Sequence, residues 1–279
     1  MLRRFTVLAL VGILLAGAGV TVRAALAQDQ KSENQKEGKT LTPEQIAETV
    51  IYAYSGGGGR QRLSTIQRNG IERGRVTRTG EEGRAEEITY ERRFVRGESA
   101  EKDKIRLDQK MPSMEYSLVY NGGKIFGIIN GTTFTPRQEA LTSFLVPAQR
   151  SIDALLRYKE NGATLAYVGK EKQKNIDMWV LDLTDKEKRR TRYYISAQRA
   201  RVLWLEYEEA GASGGQPIKF KRTFHDYTFA QGTLIPYRTI LYQDGKQSEQ
   251  SNITTVSFGL KMDESVFQNA ETTANAETP

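Results

Sequence analysis

The side chains that could carry chemistry are few, and their spacing works against it. The chain has 279 residues, no cysteine and one histidine, His225. Disulfides and thiol catalysis are therefore excluded, and without a second histidine a zinc site would need three carboxylates, which is poor zinc chemistry. As a general base, His225 would need a nucleophile and an orienting acid. Its neighbour Asp226 would point to the opposite face of a strand, so His225 reads as a residue that fills a strand surface. Gly56 to Gly59 invites comparison with a phosphate-binding loop, but Arg60-Gln61-Arg62 stands where Gly-Lys-Ser/Thr would have to follow. The run also trails a helical segment, so it reads as a helix terminator. Glu206, Glu208 and Glu209 could share a cleft, and a solvated strand edge accounts for them equally well. The expectation is a protein that is not an enzyme and has no metal and no cofactor.

The unusual feature is the aromatic and aliphatic content of the strand-like segments. Tyr116, Leu118, Tyr120, Phe126, Trp179, Leu181, Leu203, Leu205 and Phe220 all fall on such segments. They either fill an ordinary core or line an apolar cavity. A curled sheet with few helices leaves a hollow that suits acyl chains, and these nine residues are the candidate wall. Leu141, Phe144, Leu145, Ile152, Leu155 and Leu156, at helical spacing in mid-chain, are the candidate underside of a lid.

These residues must be positioned by a β-rich domain. Thr42-Pro43-Glu44 opens a helix, with a capping threonine and a proline at the first turn, and the helix should stop at Ser55. A second short helical turn falls around Arg62 to Ile66. From Gly70 the period changes to two. Asn121-Gly122-Gly123 and Asp244-Gly245 mark hairpins between alternating runs. Thr135-Pro136 restarts helix, Pro147 should end or kink it, and Ile152 to Tyr158 resumes helical spacing. Further strands follow, with Asp226 to Gly232 as a turn region. The reading gives about ten or more strands with three helices. Strands do not alternate with helices, so a parallel sheet is not expected.

At the N-terminus, Arg3 and Arg4 precede an uncharged stretch from Phe5 to Val22, and Ala25-Leu26-Ala27 supplies a small-residue cleavage site. This reads as a secretory signal over residues 1–27, with an uncleaved anchor as the alternative. Residues 28–41 read as a polar linker, residues 42–268 as one domain and residues 269–279 as a frayed tail. The whole chain carries +7. Without Arg3, Arg4 and Arg23, 38 basic residues face 34 acidic ones, or +4. The signs are interspersed, so nucleic acid is not an expected partner, while weak peripheral attraction to anionic lipid headgroups is compatible with the composition.

The order of motifs resembles the outer-membrane lipoprotein-sorting proteins of the LolA/LolB-like superfamily. The likeness spans about Leu41 to Gln268. It rests on the hairpin Tyr120-Asn121-Gly122-Gly123-Lys124, the helical insert and Tyr167-Val168-Gly169-Lys170-Glu171. It continues through Trp179-Val180-Leu181-Asp182-Leu183, Arg192-Tyr193-Tyr194-Ile195, Arg201-Val202-Leu203-Trp204-Leu205-Glu206-Tyr207 and Gly232-Thr233-Leu234-Ile235-Pro236-Tyr237-Arg238, and ends at Asp263-Glu264-Ser265-Val266-Phe267. The resemblance implies a mainly β fold: a half-open antiparallel β-barrel with a helical lid. It implies a periplasmic carrier of lipid, or of the acyl chains of lipoproteins, serving transport to or sorting at the outer membrane. The alternative is an envelope sensory module that binds a protein partner on the same fold. A monomer is expected. The chain departs from the best-known carriers in its length and in charged segments such as Glu81-Glu82 and Asp185 to Arg190.

Overall fold

The computed structural model describes residues 41–79, 84–112, 114–211 and 215–268. The expected signal, the linker apart from Leu41, the tail and the Glu81-Glu82 pair lie outside the described residues.

Helix α1 (Pro43–Tyr54) begins as its sequence dictates. Thr42 Oγ1 accepts from the Gln45 amide at 3.2 Å, and Gln45 Oε1 accepts from the Thr42 amide at 2.9 Å. This reciprocal box satisfies two backbone donors that the first turn leaves unpaired. Ile46, Ala47, Val50, Ile51 and Tyr54 form its buried stripe. Helix α2 (Gly59–Ile66) buries only Leu63.

Six strands follow: β1 (Asn69–Thr79), β2 (Ala85–Val95), β3 (Lys104–Lys110), β4 (Glu115–Asn121), β5 (Lys124–Ile129) and β6 (Thr132–Phe134). Helices α3 (Gln138–Gln149) and α4 (Ile152–Leu156) come next. The remaining strands are β7 (Thr164–Gln173), β8 (Ile176–Thr184), β9 (Arg190–Ser196), β10 (Val202–Glu209), β11 (Ile218–Ala230), β12 (Thr233–Gln243) and β13 (Lys246–Phe258). The thirteen described strands make one open antiparallel sheet in the order β6-β5-β4-β3-β2-β1-β13-β12-β11-β10-β9-β8-β7. It is two meanders joined where β1 pairs β13. Its edges, β6 and β7, are consecutive in the chain, so residues 135–163 must cross from one edge of the sheet to the other. Helices α3 and α4 lie on that crossing.

Tight turns explain the meanders. Both turn residues have positive φ at Gly122-Gly123, Asn130-Gly131, Lys174-Asn175, Gln231-Gly232 and Asp244-Gly245. That backbone matches the right-handed twist of the flanking strands. The turn expected over Asp226 to Gly232 is confined to Gln231-Gly232, because Asp226 takes a left-handed conformation (φ 53°) inside β11. Alternation breaks there, and Phe224 and Tyr227, three residues apart, both pack against the same core.

Two other local expectations are corrected. α3 starts at Gln138, three residues after Thr135, and its N-cap Arg137 makes no side-chain cap. It also runs through Pro147 to Gln149. The proline sits in the last turn, where its missing amide removes one bond and the Arg150 amide still donates to Val146 O at 2.7 Å.

The largest buried cluster draws on α1, α2 and α4 and on the facing side of β8 to β12. It contains Leu181, Leu183, Tyr193, Ile195, Val202, Leu205, Tyr207, Phe224 and Leu234. Tyr54 closes it with a polar contact. Its hydroxyl is 2.9 Å from that of Tyr227, which in turn donates to Val202 O at 2.5 Å. Burial pushes the Tyr54 phenol well above its ordinary range, so it serves there as a neutral donor.

Candidate functional site

The pairing register sorts every expected wall residue onto one of two faces. Leu181 lies opposite Tyr193, Tyr193 opposite Leu205, and Tyr207 opposite Phe220. These residues, with Trp179 on β8, share the face that α1 and α4 cover. Tracing the register through Arg222, Leu241, Glu249 and Arg78 carries the same face across to β1. From there Glu72, Arg92, Leu107 and Leu118 stand in line, so Tyr116, Leu118 and Tyr120 are also on the helix side. Phe126 lies opposite Val119 and therefore faces away. Leu203 also faces away, because a bulge between Val202 and Trp204 inserts one residue. It packs with Trp204 against Met178, Val180 and Tyr194.

On the helix side the wall residues differ in burial. Leu181 and Leu205 are fully enclosed, and Leu118 is 2% exposed, while Tyr116 and Tyr120 are half-buried. Around the latter pair, Ile105, Leu107, Ile125 and Phe134 are also half-buried. None of these residues of β3 to β6 joins the large cluster. The expected lid residues divide likewise. Ile152, Leu155 and Leu156 of α4 belong to the core cluster. Leu141 and Leu145 of α3 are half-buried, and Phe144 is buried outside that cluster.

The crossing segment is held by arginines that the sequence analysis did not single out. Arg150, between α3 and α4, is 2% exposed. It donates to Glu209 Oε1 at 3.1 and 3.2 Å, to Thr191 Oγ1 at 2.9 Å and to Arg190 O at 3.1 Å. Its guanidinium lies 5.2 Å from the Tyr207 ring, which stacks on Phe220 at 5.1 Å. Arg222 Nη1 donates to Arg150 O at 3.2 Å, clamping the same point from β11. At the end of α4, Arg157 makes a bidentate pair with Asp103 at 2.7 and 3.1 Å, both groups nearly buried. Burial disfavours the Arg157 charge, but the hydrogen bonds to Asp103 and the nearby carboxylates hold its pKa above the ordinary value. Arg96 pairs with Asp153 of α4. Local sequence carries no signal for this, because Arg150 and Arg157 stand among Gln149, Ser151 and Asp153, as on an ordinary solvated helix face.

A groove of about 980 Å³ opens across the ends of β9 to β12 beside Arg150. Tyr207 and Phe220 give it an aromatic floor, and Lys188, Arg190, Arg192, Lys219 and Lys221 give it a basic rim, against Glu206, Glu208 and Glu209. An aromatic floor with a cationic rim suits an amphiphile bearing an anionic group. On the β1–β2 side of the helix face, Tyr90 donates to Glu72 Oε1 at 2.9 Å, Arg92 reaches Glu72 Oε2 at 3.3 Å, and the Arg92 guanidinium lies 5.1 Å from the Phe94 ring.

The groups considered for acid–base chemistry are occupied elsewhere. His225 Nε2 is 2.8 Å from Thr223 Oγ1, and Asp226 is held by Arg238 at 2.7 Å. Burial, then the Arg238 charge, lowers the His225 pKa. Glu206 accepts from Trp204 Nε1 at 3.0 Å and from the Tyr194 hydroxyl at 3.2 Å on the face away from the helices. Glu209 is taken up by Arg150. Burial and Glu206 push the Tyr194 phenol up to about 12. No helix among the described residues is long and apolar enough to cross a membrane.

No known family model matches the sequence, and no curated protein matches it. Solved structures do. A DUF1329 family protein from Desulfovibrio piger superposes with a TM-score of 0.58 at 10% identity, covering 83% of this chain and 99% of that one. A LolA superfamily protein from Nitrosomonas europaea gives 0.57 at 11% identity, covering 82% and 98%. The fold is LolA-like: mostly β, an open antiparallel sheet with few helices.

Proposed function

We propose that this protein is a non-catalytic periplasmic carrier that holds a lipid, or the acyl chains of a lipoprotein, for transport to or sorting at the outer membrane. The observation that carries the reading is the row of half-buried apolar side chains on the helix side of β3 to β6: Ile105, Leu107, Tyr116, Tyr120, Ile125 and Phe134. A sealed core would leave no such row. An acyl chain laid along it gains about 0.8 kcal/mol per methylene removed from water. Leu141, Phe144 and Leu145 of α3 supply the movable cover, and the basic groove beside Arg150 takes the polar end of the cargo. The LolA-like fold supports the same reading.

The test is mass spectrometry of organic extracts from protein exported with its own N-terminal segment and purified without detergent. Stoichiometric lipid or acylated peptide is expected. A clean extract, together with failure to bind added fatty-acyl probes, would overturn the carrier reading in favour of an envelope module that binds a protein partner.

A further inference from the structure

One end of the molecule combines exposed aromatic rings with cations that make no ion pair among the described residues. Four segments meet there: residues 55–71, 195–205, 227–237 and 254–262. Their meeting is fixed by hydrogen bonds. Gln67 Nε2 donates to Thr233 Oγ1 at 2.8 Å, the Phe258 amide donates to Gln231 Oε1 at 2.6 Å, and the Tyr227 hydroxyl donates to Val202 O at 2.5 Å. The four segments contain Arg60, Arg62, Arg68, Arg199, Arg201 and Lys261 and not one Asp or Glu. Arg60 is tied down by Glu48 and Glu160. Among the described residues the other five cations form no ion pair, and Arg62, Arg68, Arg199 and Lys261 are exposed. Arg201 lies 5.4 Å from the Tyr227 ring.

At the tip, Tyr52 is 60% and Phe229 54% exposed. They are brought together by the glycine run. Gly56 sits at φ 62°, and a Cβ there would stand 2.8 Å from Gly232 O and 3.7 Å from the Phe229 ring. At Gly57 (φ 90°), a Cβ would stand 3.4 Å from the Tyr52 hydroxyl. The glycines thus let the α1–α2 link lie against the β11–β12 hairpin, with both rings beside it and turned to solvent. Ordinary folding gives no reason to expose two large rings beside five cations that make no ion pair, and the nearest acid on β11, Asp226, is already bound by Arg238.

We propose that this end docks on an anionic bilayer surface, with Tyr52 and Phe229 entering the headgroup layer and Arg62, Arg68, Arg199, Arg201 and Lys261 pairing with lipid phosphates. Aromatic rings favour that interface, and each cation near it adds attraction that falls away within a Debye length. A protein partner would have to supply a comparably acidic and apolar face, whereas a bilayer supplies both in one plane. This inference does not depend on the carrier reading, since the tip is separate from the half-buried row on β3 to β6.

The test is vesicle flotation of the chain as the cell processes it. Phosphatidylcholine vesicles are compared with vesicles also containing phosphatidylglycerol. The expected result is binding to the anionic vesicles only, weakened by salt, and reduced about tenfold or more both by Tyr52→Ser with Phe229→Ser and by Arg62→Gln with Arg199→Gln. All four positions are exposed, so circular dichroism should show each variant folded as the parent. Equal partition onto neutral vesicles, no binding to either, or full binding by the folded variants would each overturn the proposal. Because the readout is vesicle binding and not lipid content, it can fail while the carrier reading stands, and the reverse.

Discussion

The two halves of the sheet use the same architecture for different ends. From β8 to β12, the helix side is filled by Leu181, Tyr193, Ile195, Leu205 and Phe224 against α1 and α4, and many of these side chains are fully enclosed. From β1 to β6, the same face carries half-buried Ile105, Leu107, Tyr116 and Tyr120 with a charged station at Glu72 and Arg92. A domain needs its interior closed to gain the full benefit of burial, and here closure is complete over one half and partial over the other, where Ile88, Phe94 and Leu118 are buried beside the half-buried row. The lesson is that stability and capacity are segregated: one half holds the fold, the other is left for something else to cover.

The largest expected effects fall in the filled half. Leu155→Ala or Leu205→Ala should cost about 2–5 kcal/mol in urea unfolding, because each leaves a cavity among side chains that cannot collapse. Leu107→Ala, in the other half, should cost under about 1 kcal/mol. Equal losses at Leu107 and Leu205 would erase the comparison.

The joint between the crossing segment and the filled half comes next. Arg150→Met removes a buried guanidinium from Glu209, Thr191 and Arg190 O and should cost about 2–3 kcal/mol. Glu209→Gln should cost less, since Glu209 is itself partly solvated. A neutral Arg150→Met would mean that the segment is not anchored there.

A smaller effect is expected on acidification. The Glu48 carboxyl is disfavoured by burial, but Arg60 and Lys159 outweigh this and hold it below its ordinary 4.5; Asp185 lies below 3.8 because bonds from Arg189 outweigh its burial. Both are depressed in the folded state. Their stabilisation is therefore present above the ordinary carboxylate range and is lost as pH falls through the folded values. Stability should drop below about pH 4.5, and Glu48→Gln should flatten that drop. The smallest effect belongs to His225. Its pKa is lowered by folding, so protonation opposes the fold as pH falls below 6.5. His225→Gln should remove a shallow decline between about pH 6.5 and 5 in thermal melts.

Much of this was legible in the sequence where the determinants are local. Thr42 and Pro43 start α1 as expected, and the hairpin expected at Asn121-Gly122-Gly123 joins β4 to β5. The three-residue β6 and the Lys174-Asn175 turn carry too little local signal, because neither side chain of that turn demands positive φ as glycine does. The face of Leu203 depends on a bulge and that of Tyr227 on the backbone of Asp226. Both arise from strand pairing rather than from hydrophobic period. Leu155 and Leu203 show the same limit from another side: their apolar character was plain, but whether each meets core, cavity or solvent is decided by elements distant in the chain. The burial of Arg150 was not readable either, because its partners on β9 and β10 lie 40 to 59 residues away in the chain.

The most direct test of the account is photo-crosslinking with a radiolabelled, diazirine-bearing fatty acid, followed by peptide mapping of the adducts. The account predicts adducts on the helix side of β3 to β6 and on α3, around Leu107, Tyr116 and Phe144, with competition by unlabelled fatty acid. Adducts confined to the other face, around Val119 and Phe126, or no competable adduct at all, would contradict it.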